Sequence, residues 1–176
     1  HASRPSVRSL TLRSINLAMA MLLVAFLAGR PALAQFDLNQ DPINYRTAEL
    51  NDPITRLQKK LDSGELTLEY DSKTGYLKSL LGHLGVSHTT QMLVFSKTSF
   101  QLKRITPKRP RAVYFGDDIY VGTVQYGDVL EISSVDPQLG SIFFALDQIK
   151  VDKPKFTRLT DTCTQCHASS MTRGVP

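Results

Sequence analysis

Both cysteines of the 176-residue chain fall in one short stretch near its end, DTCTQCH, Asp161 to His167. Two thiols three residues apart, followed at once by a histidine, form the C-x-x-C-H pattern of covalent haem attachment. On a helical turn, positions three apart share a face, so both sulfurs can reach the vinyl groups along one side of a porphyrin and form thioethers. The neighbouring imidazole then lies under the iron as proximal ligand. Cys163, Cys166 and His167 are therefore the candidate cofactor residues for one covalently held haem c, with His167 as its metal ligand. Two other uses of the pair stay open. A C-x-x-C can be a redox dithiol with a lowered thiol pKa or a disulfide, which persists outside the cytoplasm. A zinc site would need four ligands, and only His83, His88 and scattered carboxylates are available beyond the motif.

The task of a haem protein depends on the iron's other face, where Met or His makes an electron carrier and an open position allows ligand binding or peroxide chemistry. His83, His88, Met92 and Met171 are the candidates within the chain. Met171 follows His167 by four residues, so on a helix it projects to the same side as that histidine rather than across the ring. A ligand beyond Pro176 is a further candidate, because the chain opens on His1 and closes on the turn-like Arg173-Gly174-Val175-Pro176, an ending from which the native protein is expected to continue.

Haem is attached to c-type proteins outside the cytoplasm, and the first residues supply that route. Arg4, Arg8 and Arg13 precede an apolar run from Ile15 to Gly29, and Ala32-Leu33-Ala34 closes it. A basic start, a short apolar core and an A-x-A exit describe a secretory signal peptide over residues 1–34. The run is too short for a spanning helix, which wants about 20 apolar residues. The expected location is periplasmic or extracellular, with no integral membrane segment after cleavage. Removing residues 1–34 takes away four arginines and no carboxylate, so the net charge falls from +5 to +1. The basic balance belongs mostly to the export signal, and a nucleic-acid partner loses its support.

Residues 35–176 read as a single α+β domain, with 160–176 as the haem-attachment segment. Residues 35–51 show no period and are expected to be an extended lead-in. Asp52-Pro53 starts a helix, Ile54, Leu57 and Leu61 share its face, and Gly64 stops it, which predicts a helix over Pro53–Ser63. Leu66, Leu68 and Tyr70 alternate with polar residues as in a strand. A second helix is expected from Gly75 to Leu84. MLVFS, RAVYF, IYVGTV, VLEISSV and SIFFALDQ then follow, with turn residues such as Gly116-Asp117-Asp118 and Tyr126-Gly127-Asp128 between the later ones. Short strands joined by tight turns predict an antiparallel meander. The attachment helix is expected near Thr160 to Ser170.

The stretches NDPITRLQKKLDSGELTLEYDSKTGYLKSLL, QMLVFSKTSFQ, PRAVYFGDDIYVG and DTCTQCHASSMTRGVP resemble a family of exported bacterial proteins described as cytochrome c domain-containing. The likeness covers nearly all of the mature chain and implies haem binding at Cys163, Cys166 and His167, but no substrate or partner. A small all-helical cytochrome c, with its motif near the start, is a different pattern. The expected function is single-electron transfer through the haem, to a redox partner of unknown identity. The alternatives are a haem enzyme with an open distal site and a non-haem interaction domain with a disulfide. Lys97, Lys103, Arg104, Lys108, Arg109 and Arg111 lie in a stretch without an acid. They read first as a solvated loop and second as a docking surface for an acidic redox partner or for haem propionates. No glycine-rich phosphate loop or nucleophile motif points to an independent hydrolase.

Overall fold

The computed structural model describes residues 38–169 and Thr172; the proposed signal peptide over 1–34, Met171 and residues 173–176 lie outside them. Helix α1 (Pro53–Ser63) begins where the sequence places it, because the buried Asp52 carboxylate accepts from the backbone N–H groups of Ile54 and Thr55. It ends at Gly64, whose left-handed φ of 75° turns the chain away. Helix α2 (Leu77–Leu84) starts two residues later than expected, after Tyr76, and closes on the left-handed Gly85.

The remainder is one six-stranded antiparallel sheet whose order follows the sequence. Its strands are β1 (Met92–Val94), β2 (Arg111–Phe115), β3 (Ile119–Val124), β4 (Val129–Asp136), β5 (Gly140–Asp147) and β6 (Phe156–Arg158). The α+β class and the meander are thus as predicted, while β6 was not anticipated. On the inner face, Tyr114, Val121, Ile132 and Phe144 form one cross-strand row, covered by Ile54 and Leu57 of α1 and Leu77, Leu80 and Leu81 of α2. The end of β4 holds the start of α1: the buried Asp136 carboxylate accepts from Asn51 N at 2.7 Å and from the N–H groups of Gln138 and Leu139.

Three sequence expectations change. Leu66 to Tyr70 keep their alternating burial but form no strand, since helix side chains rather than a neighbouring strand take up the backbone: Ser79 Oγ accepts from Glu69 N, and His83 Nε2 meets Thr67 O. Residues 38–47 are not extended. They make successive turns that bury Tyr45, whose hydroxyl donates to Ser141 O at 2.6 Å. The helix expected over Thr160 to Ser170 shortens to α3 (Thr164–His167). No helix among the described residues is long and apolar enough to cross a membrane.

Candidate functional site

The outer face of the sheet carries the motif. Strand register puts Phe115, Tyr120, Ser133 and Phe143 side by side across β2, β3, β4 and β5, and alternation along each strand sets this row opposite the helices. Phe143 is only 6% exposed, and the His167 ring packs on it with centroids 4.8 Å apart at 43°. At the other end Phe115 and Tyr120 stack at 6.3 Å, yet stay 38% and 45% exposed. Ser133 stands between the two aromatic pairs, and Gly122 follows in the next row beside Glu131.

The chain reaches this face by a tethered path. Leu159 N donates to Phe143 O as the strand pairing runs out, Arg158 donates to the carbonyl oxygens of Tyr45 and Arg46, and Arg46 pairs with Asp161. Thr164 Oγ1 donates to Thr160 O at 2.6 Å, and one turn closes with His167 N donating to Cys163 O at 3.0 Å. Cys163 and Cys166 therefore flank a single turn as free thiols, the first half-buried and the second exposed. Neither nitrogen of the His167 imidazole has a hydrogen-bond partner among the described residues. Burial pushes the Cys163 thiol pKa up, and the Glu131 carboxylate and Cys166 push it the same way. That electrostatic setting opposes a reactive dithiol, whose first thiol is normally lowered by a helix N-terminus or a nearby cation.

The proposed distal ligands scatter. His83 is exposed on α2 and bound to Thr67 O at 3.2 Å. His88 is exposed in a 3-10 turn near the Phe115 end of the row, where Thr90 Oγ1 accepts from Phe115 N. Met92, 53% exposed, shares the outer face but lies on edge strand β1, four strands from β5. Met171 lies outside the described residues. Two members of the basic run are consumed internally: Arg104 pairs with Asp128, and Arg111 pairs with Glu131 at 3.1 Å. Glu131 also accepts from Ser99 Oγ, and the buried Gln101 bonds to Asp128 N and Val129 O. These bonds fasten the loop between β1 and β2 to the outer face. Lys97, Lys103, Lys108 and Arg109 remain exposed.

Comparison of the chain with protein-family models, curated proteins and solved structures finds no match. The chemistry of the site therefore rests on its own residues. Among the described residues, no group of three or more His, Cys, Asp or Glu is placed to hold a metal ion, so the zinc reading finds no ligand set there. A haem asks for less from the chain: two unbridged thiols on one turn, an uncommitted imidazole beside them and an apolar surface nearby. Cys163, Cys166, His167 and the outer aromatic row meet those requirements. Phe143, Tyr120 and Phe115 were not singled out from sequence, because only strand register brings them into one line with the motif.

Proposed function

We propose that this chain is an exported c-type haem protein, periplasmic or extracellular, that passes single electrons, with Cys163 and Cys166 as thioether anchors and His167 as proximal ligand. The observation that carries the reading is the single turn Cys163 to His167, with both thiols unbridged and the imidazole packed on Phe143 without a hydrogen bond among the described residues. When bound, the haem supplies a one-electron iron couple. The chain's residues do the rest. Cys163 and Cys166 would fix the macrocycle in place, and His167, packed on Phe143, would ligate the iron. Lys97, Lys103, Lys108 and Arg109 offer a positive surface to an acidic redox partner, an interaction that added salt would weaken.

A haem-binding enzyme with an open distal position is the second reading. It is favoured by the commitment of His83 to Thr67 O and by the remoteness of Met92 on β1. Production alongside haem-maturation machinery, followed by a pyridine haemochrome spectrum, tests the first claim. Covalent haem c is the expected result, and its absence leaves a secreted sheet domain with a free or bridged cysteine pair. Rapid binding of carbon monoxide to the reduced protein would then favour the open-site enzyme over the carrier.

A further inference from the structure

We propose that the turns over residues 38–47 act as a clasp on the C-terminal motif, which keeps the Cys163 thiol sheltered and leaves Cys166 as the thiol open to reaction. Arg158 and Arg46 are its positioning residues, and release of their contacts is what admits a reagent to Cys163. The inference goes beyond the haem reading and stands apart from it, because it concerns thiol access in the haem-free chain.

The two ends of the described chain meet at β6. Arg158, the last residue of that strand, donates to the carbonyl oxygens of Tyr45 and Arg46, and its guanidinium lies 5.1 Å from the centroid of the Tyr45 ring. Arg46 in turn pairs with Asp161. Asp161 opens the motif turn, since its backbone oxygen accepts from Gln165 N and Thr164 Oγ1, both at 3.2 Å. One arginine thus fixes the strand that leads to the motif, and the other fixes the residue from which the turn starts. The clasp is itself held firmly: Tyr45 is 2% exposed and bonded to Ser141 O, and Tyr45 N donates to Leu38 O at 2.7 Å.

A four-residue helix such as α3 has little stability of its own, so the orientation of its side chains follows from its tethers. Its far end is held by the His167 ring on Phe143, and its start by the clasp. The two thiols differ accordingly: Cys163, at the clasped end, is half-buried, whereas Cys166, three residues later, is exposed. Cys163 also lies within electrostatic reach of the clasp. Burial pushes the Tyr45 phenol pKa up, Arg158 draws it down, and Cys163 pushes it up. The Arg46–Asp161 pair is exposed on both sides and adds modestly. Arg158, with two charge-assisted bonds to backbone oxygens, is the stronger hold.

The test uses the protein exported in a host without haem-attachment machinery and kept reduced. Its thiols are alkylated with iodoacetamide, and tandem mass spectrometry reads Cys163 and Cys166 separately. Cys163 is expected to react at least about tenfold more slowly than Cys166, as for a group reached through local opening. Arg158→Gln should remove most of that difference, and Arg46→Gln should narrow it by about two- to fivefold, with Cys166 unchanged in both. Loss of a nearby cation lowers a thiol's ionised fraction and slows it, so a faster Cys163 in these variants reports opening rather than charge. Arg104→Gln, which removes a cation paired with Asp128, is the control and should alter neither rate. Equal rates for the two thiols in the native chain overturn the clasp, as do arginine variants in which Cys163 stays slow. A Cys163 rate that follows whole-domain unfolding as urea is added overturns it too. The haem reading is judged separately, by the mass of the matured protein, and either can fail while the other stands.

Discussion

On the inner face of the sheet, Ile132, Ile142, Phe144 and Leu146 are sealed beneath two helices, whereas on the outer face the same strands present Glu131 to the loop between β1 and β2 and Phe143 to the short C-terminal turn. Alternation along β4 separates the two sets residue by residue, so one strand serves both. The inner set is large, apolar and contiguous, which is what stability requires. The outer set mixes small, charged and partly exposed aromatic residues, a combination that leaves apolar surface uncovered beside the motif. The fold is thus held from one side, and the proposed haem motif packs on the other.

Substitutions that follow this division should separate cleanly. The largest effect is expected from replacing both Cys163 and Cys166 by alanine. Covalent haem should be lost entirely, while the unfolding free energy of the haem-free protein from urea melts changes by no more than about 0.5 kcal/mol, as for surface changes generally. A large loss of stability in that variant would mean that the motif belongs to the core. Next, truncating the inner face by Ile142→Ala or Leu130→Ala, both fully buried, should destabilise by about 2–5 kcal/mol in denaturant melts. Haem attachment should still be seen in whatever fraction folds. The outer-row change Phe115→Ala should fall well short of that range in the same melts, and an equal loss would erase the distinction between the faces.

Smaller effects come from the polar contacts that join α1 to the sheet. Burial raises the Asp136 pKa, but hydrogen bonds from the backbone N–H groups of Asn51, Gln138 and Leu139 outweigh it and hold the carboxyl below its ordinary value. Its contribution is therefore present above the unfolded-state pKa and is lost as pH falls through the lower folded-state value. Asp136→Asn should cost about 1–3 kcal/mol at neutral pH, and the gap to the native protein should narrow in acid. A gap independent of pH would show that charge is not what Asp136 supplies. The smallest expected change is Asp52→Ala, which removes the α1 cap at about 1 kcal/mol and should leave the haem spectrum unaltered.

What could be read from the sequence depended on how local the cause was. The limits of α1 follow from Asp52, Pro53 and Gly64, all within the segment itself, and the meander from turn residues between strands. Leu66 to Tyr70 had the pattern of a strand but not a partner, and a ladder needs both. Strand β6 is three residues long between Lys155 and Leu159, too short to show a period, and it exists because β5 offers an edge. The proposed attachment residues stand out in the sequence because the chemistry they suggest requires adjacency. The surface beneath them was not legible, since Phe143 meets His167 only because β6 pairs with β5 and leads the chain back over it.

The central claim is that Cys163 and Cys166 hold a haem while His167 ligates its iron. Intact-mass measurement of the protein, exported and matured in a host with haem-attachment machinery, addresses it most directly. The account predicts the polypeptide plus one haem, with the added mass abolished when both cysteines are replaced. A mature chain of unmodified mass, with its thiols free or joined to each other, would contradict it.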